Sequence, residues 1–257
     1  MGETSLALAN DFAMACDPVL LAHACGVEPD EKQAELLSST SKRVLLNCTR
    51  QWGKSTIAAC MAAHESIYSP GAMFILISPS QPQSTELFKK VAEFWKLLPG
   101  APEATQESLT RLQLANGSRI VSLPGSERTT RGFSGATLVV MDEAARVDDE
   151  LLAAVMPMLA TTQGRFIALS TPKGRRGWFY KTWTEGGDAW QRVSVPATAC
   201  PRISPEFLDE QRRILGTTVF EQEYCCVFHD DGDSAFNSAL IEAALTLEFE
   251  PFFLGVS

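Results

Sequence analysis

Residues 48–56 read Cys-Thr-Arg-Gln-Trp-Gly-Lys-Ser-Thr. The usual phosphate loop is G-x-x-x-x-G-K-[ST]; here Cys48 stands at its first glycine and the rest is intact. Together Thr49, Arg50, Gln51, Trp52, Gly53, Lys54, Ser55 and Thr56 form a candidate nucleotide cradle. Gly53 lets the backbone approach an anion, and the first N–H groups of the following helix lack partners within that helix. Lys54 has the reach for β and γ phosphates, while the Ser55 hydroxyl suits Mg²⁺. A bare Gly-Lys-Ser triplet also begins ordinary helices, so its meaning depends on what converges on it. Leu-Val-Val-Met-Asp-Glu (138–143) delivers two acids at the end of an apolar run. Asp142 suits the metal and Glu143 a water to be activated, which points to hydrolysis rather than binding alone. Ser170 and Thr171 end another apolar run, where hydroxyls can sense a γ phosphate. Arg131, next to Gly132, and Arg50 are the candidate arginines for transition-state charge.

These groups need a scaffold that brings the ends of several strands together. The runs 42–48, 72–78, 137–143 and 165–171 are continuously apolar, as expected of parallel strands buried on both faces, and 190–195 is a further strand. Helical patterns fill 53–68 and 83–98, the segment after 148, and the first forty residues. Residues 111–123 carry Asn116-Gly117 between two alternating runs, which predicts a β-hairpin with a type I′ turn. Residues 205–224 read as helix, and Cys225-Cys226 as core-filling residues on a strand. Alternating strands and helices predict an α/β fold with a mostly parallel sheet flanked by helices, its ligand at the carboxyl ends of the strands.

The 257 residues carry 22 Lys+Arg against 31 Asp+Glu, a net charge of -9. Residues 206–257 hold 11 acids and 2 bases, so residues 1–205 hold 20 of each and are neutral. The acidity therefore does not exclude a nucleic-acid partner for the first 205 residues. Lys173, Arg175 and Arg176, with Arg165 and Lys181 nearby, form a basic stretch with no acid between residues 164 and 181, a candidate DNA contact. Seven cysteines without C-x-x-C spacing read as reduced thiols. The three histidines show no metal-ligand spacing with the cysteines, and the acidic HDDGD segment (229–233) does not fit the spacing of a calcium loop, so neither zinc nor calcium is expected. No apolar run reaches the ~18 residues of a membrane span, and no membrane partner is expected.

The sequence resembles the ATPase domain of the large terminase subunit, the DNA-packaging motor of tailed bacteriophages. The likeness runs from about Pro29 to Phe236 and rests on several motifs in order. They are Gln33 before the first strand, Arg50-Gln51-Trp52-Gly53-Lys54-Ser55, the Asn-Gly-Ser hairpin turn, Arg131-Gly132, the two acids, and Ser170-Thr171-Pro172. The resemblance implies a P-loop NTPase of the RecA/ASCE-like kind, with a hairpin and a small C-terminal helical lid or linker. It implies ATP and Mg²⁺ as cofactors, Gln33 as an adenine sensor, and Ser170 and Thr171 as the coupling motif. Implied partners are double-stranded DNA, a portal protein, a small terminase subunit and further copies in a ring. That ring would be a pentamer on the capsid, working in the host cytoplasm. The expected division is an ATPase domain over 1–200 with an N-terminal helical segment, a lid over 201–250, and the start of a nuclease domain over 251–257. Ser257 occupies the place of that nuclease's first aspartate, so no nuclease activity is expected from this chain.

Two other readings fit some of these motifs. A superfamily 2 helicase shares the glutamine, the Asp-Glu pair and a hydroxyl motif, but needs a second RecA-like domain where only 86 residues follow Thr171. A nucleotide-gated assembly module that hydrolyses weakly alone would fit if Arg131 acts on a neighbouring subunit.

Overall fold

The computed structural model describes residues 2–125 and 132–230. Helices α1 (Gly2–Cys16), α2 (Pro18–Ala24) and α3 (Glu31–Leu37) precede β1 (Arg43–Cys48). Then come α4 (Lys54–Tyr68), β2 (Met73–Ser78), α5 (Gln81–Leu97), β3 (Ala104–Glu107), β4 (Arg111–Leu114) and β5 (Arg119–Pro124). The chain continues through β6 (Leu138–Asp142), α6 (Asp149–Val155), β7 (Arg165–Ser170), α7 (Gly177–Glu185) and β8 (Gln191–Val195). It ends in α8 (Pro205–Leu215) and α9 (Thr217–Cys225). Among the described residues no helix is long and apolar enough to cross a membrane.

All eight strands form one sheet in the order β3-β4-β5-β2-β6-β7-β1-β8. Pairing is parallel from β5 to β8, and antiparallel only at β3/β4 and β4/β5. The apolar runs explain this. Along β1, Val44, Leu46 and Cys48 join the core under α4 and α5, while Leu45 joins the core on the opposite face. Phe74 and Leu76 of β2 alternate in the same way with Met73, Ile75 and Ile77. Period-2 alternation with both faces apolar is stable only between two helical layers.

The order places β7 between β1 and β6. The three strands that end in the phosphate loop, the acidic pair and the hydroxyl pair are therefore adjacent and parallel, so their carboxyl ends open onto one site.

Three expectations change. The hairpin forms, but not through a type I′ turn: of Asn116 and Gly117 only Gly117 has positive φ, at 86°. Leu114 and Ser118 pair around Gly117 N–H→Leu114 C=O (2.9 Å), the three-residue loop in which a left-handed glycine forms the bulge. Asn116 instead donates through Nδ2 to the Ser66 and Ile67 carbonyls, capping the end of α4. The helical stretch 205–224 is two helices broken at Gly216, whose φ is 72°. Cys225 closes α9 and Cys226 is its left-handed cap at φ 61°, so this pair lies at a helix end and not on a strand. The exposed edge strand β3 carries no apolar pattern in Ala-Thr-Gln-Glu and was not expected.

Candidate active site

The loop between β1 and α4 is anchored by its largest side chain. Trp52 is fully buried in the core, and its indole Nε1 donates to Asp30 Oδ2 (3.0 Å). Burying an aromatic of ~200 Å² is worth about 5 kcal/mol at ~25 cal/mol per Å². The Trp52 side chain therefore holds the loop from behind, leaving phosphate contact to the backbone and to Lys54. Gln33 lies at the same place. Its Nε2 donates to the Trp52 carbonyl (2.6 Å), while its Oε1 accepts from the Asp30 N–H in a capping box. A Cβ on Gly53 would crowd Gln33 Nε2 at 3.1 Å, and the φ of 92° at Gly53 is the backbone conformation that demands glycine there. Arg202 completes the clamp, donating to the Trp52 carbonyl (2.6 Å) and to Asp30 Oδ2 (3.2 Å). Cys48 continues β1 in register with Val195, and burial raises its thiol well above the ordinary range, so it is a packing residue.

At the mouth of the loop Ser55 Oγ donates to Asp142 Oδ2 (2.9 Å), and Asp142 Oδ1 accepts the Glu143 N–H (2.9 Å). Burial raises the Asp142 carboxyl above its usual range, Lys54 opposes this, and Glu143 adds to it. A hydroxyl and a buried carboxylate in contact are the hard oxygen donors that Mg²⁺ takes beside nucleotide phosphates. The residues fit that ion. Among the described residues no three His, Cys, Asp or Glu side chains cluster as a self-sufficient metal cage.

Glu143 has φ 51° and ψ 40°, a left-handed conformation uncommon for glutamate. The twist turns its side chain out of the strand direction towards the loop. Oε1 lies 3.4 Å from Lys54 Nζ, and Oε2 lies 2.7 Å from Arg146 Nη1. Arg146 was not among the sequence candidates; its signal was its position three residues after Glu143. The same Nη1 donates to Thr171 Oγ1 (3.1 Å), and Ser170 Oγ accepts the Ala145 N–H (3.2 Å). The buried hydroxyl pair thus joins the acidic segment directly.

Helix α9 packs against the loop mouth. Glu223 on α9 receives Arg50 Nε on Oε2 (2.5 Å) and faces Arg146 Nη2 with Oε1 (3.6 Å). Its carbonyl accepts from Thr49 Oγ1 (3.1 Å), and Asn47 Nδ2 donates to the Cys226 carbonyl (2.8 Å). Sequence reasoning missed Glu223 because nothing local ties it to residues more than seventy positions earlier.

The structure therefore gathers Thr49, Arg50, Gly53, Lys54, Ser55, Asp142, Glu143, Ser170 and Thr171 at one place. Gln51 has φ 66° and is exposed on the loop, and Thr56 N–H bonds to the Gly53 carbonyl in the first helical turn. Arg131 lies outside the described residues, as do residues 251–257. Lys173, Arg175 and Arg176 are exposed after β7, but acids lie beside two of them: Lys173 and Arg176 share a cleft with Asp148, Asp149 and Glu150. Arg175 Nε donates to the Phe228 carbonyl (3.1 Å). Arg165 is removed from the basic stretch altogether. It starts β7 at the far end and pairs with Glu65 (2.8 Å).

The family model for the terminase large subunit, T4likevirus-type, N-terminal, matches residues 45–243. The large terminase subunits of Thermus virus P23-45 and Thermus phage G20c are 28% and 27% identical over 261 aligned positions. Each alignment covers 88% of this chain and 53% of the relative, so the chain spans about half the length of the curated relatives it matches. Among solved structures, the Thermus phage P74-26 large terminase ATPase domain has a TM-score of 0.70 at 23% identity, over 80% of this chain and 96% of that one. The large terminase of a thermophilic bacteriophage, solved in complex with ADP, has a TM-score of 0.64 at 10% identity, over 78% and 54%. At these identities the structural likeness establishes the fold alone.

Proposed function

The chain belongs to the terminase large-subunit N-terminal family, and from that premise we propose that it is an ATP hydrolase driving double-stranded DNA into a procapsid. The observation that carries the reading is the set Lys54, Ser55, Asp142 and Glu143 around one loop mouth. In the proposed reaction ATP seats its phosphates on the loop N–H groups and draws Lys54 to the β and γ oxygens. Glu143 accepts a proton from a water as its oxygen bonds to the γ phosphorus. The bond from that phosphorus to the β–γ bridging oxygen breaks, leaving ADP and inorganic phosphate. Ser55 and Asp142 would hold Mg²⁺, which neutralises phosphate charge when bound. Arg50, or Arg131 from a neighbouring subunit, would meet the charge on the transferring group, and Gln33 would sense adenine beside the loop.

Ser170 and Thr171 lead directly into the loop holding Lys173, Arg175 and Arg176, so loss of phosphate is proposed to shift that DNA contact. A ring of subunits, a portal protein, a small terminase subunit and the host cytoplasm complete the reading.

The test is ATP turnover with and without double-stranded DNA, with native mass measured alongside. Turnover stimulated by DNA is expected. Glu143→Gln should lower kcat by about 10³-fold while leaving ATP binding intact. Undiminished turnover in that variant would remove Glu143 as the base, and failure of the unaltered chain to bind ATP would sink the whole reading.

A further inference from the structure

We infer that Arg146 is a positioning residue for Glu143, and that the lid controls it through Glu223; this rests on the hydrolase reading above. The guanidinium of Arg146 touches three side chains from three parts of the fold. They are Glu143 after β6 (2.7 Å), Thr171 after β7 (3.1 Å) and Glu223 on α9 (3.6 Å). The side chains of Arg146, Glu143 and Glu223 are 26%, 21% and 13% exposed, so their charges are only partly screened by water.

Glu143 here has a cation on each oxygen, Lys54 on Oε1 and Arg146 on Oε2. The two cations are not equivalent. Lys54 begins α4 at the loop and is drawn away by bound phosphates, which frees Oε1 to receive a proton from water. Arg146 is held by Glu143, Thr171 and Glu223, none of them in the phosphate loop, so it keeps Oε2 and fixes where Oε1 points. An arginine suits this because its guanidinium presents its N–H donors in a fixed planar fork spread over three nitrogens, whereas the three donors of a lysine rotate on one nitrogen.

Glu223 is the point of control. Its two oxygens divide between Arg50 of the phosphate loop and Arg146 of the acidic segment. Any lid movement that withdraws Glu223 releases both arginines together. Arg146 then shifts its weight between Glu143 and Thr171, and the position of the lid becomes the aim of the base.

The experiment compares steady-state ATP turnover, KM and thermal midpoint in the unaltered chain, Arg146→Ala, Arg146→Lys, Glu223→Gln and the double variant Arg146→Ala/Glu223→Gln. Arg146→Ala should lower kcat about 10²-fold, the scale of a misplaced catalytic group, with KM for ATP changed less than about threefold. Arg146→Lys should recover about tenfold of that loss, because it restores the pair with Glu143 but not the fork. Because Glu223 also holds Arg50, Glu223→Gln and the double variant are read in an Arg50→Ala background: there Glu223→Gln should lower kcat about tenfold, and the double variant should be no slower than Arg146→Ala in that same background, because Arg146 is then the path left to Glu223. An unchanged kcat in Arg146→Ala would overturn the inference, as would multiplicative losses in the double variant. A fall in kcat matched by a collapsed thermal midpoint in both Arg146 variants would do so too, by showing a merely structural role. No turnover in the unaltered chain would sink the hydrolase reading first, and this inference with it.

Discussion

The two ends of β7 carry the same chemistry in opposite forms. At its start Arg165 pairs with Glu65 (2.8 Å) and donates to the Ser39 and Ser41 carbonyls (2.9 and 3.3 Å). Beyond its end Arg146 holds Glu143, Thr171 and Glu223, all through side chains. A backbone carbonyl cannot leave an arginine unless the chain around it moves, whereas a side chain can leave by a change of rotamer. Two of the three acceptors of Arg165 are backbone, and all three acceptors of Arg146 can be exchanged. The far end of the sheet is therefore a fastening, and the loop end a set of contacts able to redistribute as a ligand arrives. The acids follow the same division. Asp142 is buried at the changeable end, where Lys54 offsets part of the cost of its charge, and Glu65 is partly buried against a permanent cation.

The sharpest way to break this contrast is Asp142→Asn. Burial holds the Asp142 carboxyl above its usual range, so its protonated form favours the fold and its charged form does not. That contribution is complete below the unfolded value near 3.8 and is lost as pH rises through the higher folded value. At neutral pH the amide should therefore raise the thermal midpoint, by about 2–4 °C for each kcal/mol gained. It should also lower Mg²⁺-dependent turnover by at least about a hundredfold, since the metal loses its anionic ligand. A lower midpoint, measured by calorimetry, would mean that the buried charge is already compensated and the site is not held ready for a cation.

Arg165→Ala should give the converse result. Removing one partner of a largely buried pair costs about 3 kcal/mol, and here it also strips two carbonyls of their donors. Urea unfolding should report that loss, while KM for ATP and kcat per folded molecule stay within about twofold. A change in kcat beyond that would show that the two ends of β7 are coupled, and the contrast would fail.

The chemistry of the loop end was visible in the sequence because each motif is local. Gly53-Lys54-Ser55 must start a helix, and Asp142-Glu143 must end an apolar run, so strand and helix periodicity placed both. Their meeting followed from the expectation that a parallel sheet gathers its ligand groups at the carboxyl ends of its strands. The connections that join motifs were not legible. Arg146 and Glu223 lie 77 positions apart, and nothing in either neighbourhood names the other. The acids of α6 beside Lys173 and Arg176 escaped for the same reason: the 164–181 stretch is free of acids along the chain but not in space. Arg165 was misread because a strand separates residues at its two ends by some ~20 Å, and charge counted along a sequence ignores that. Trp52 appeared as part of the cradle because it sits inside the motif, yet its apolar ring belongs to the core.

The smallest expected effect tests the fastened end most finely. Glu65 is partly buried on α4, and desolvation raises its carboxyl above the usual range, although the charge and hydrogen bond of Arg165 pull it back. Its stabilising contribution is thus complete below the unfolded value near 4.5 and is lost as pH rises through the folded value. Glu65→Gln imitates the protonated acid, keeping its volume and the Oε1 acceptor that Arg165 Nη1 uses. At pH 7.5 the variant should match the unaltered chain within about 1 kcal/mol in urea unfolding, because desolvation of the carboxylate offsets the attraction of Arg165 and the amide keeps the hydrogen bond. At pH 5 the unaltered chain should gain on the variant, since only it takes up a proton on folding. A relative loss on acidification would mean that attraction to Arg165 outweighs burial. The two ends of β7 would then differ in the sign of their electrostatics as well as in the kind of partner their arginines keep.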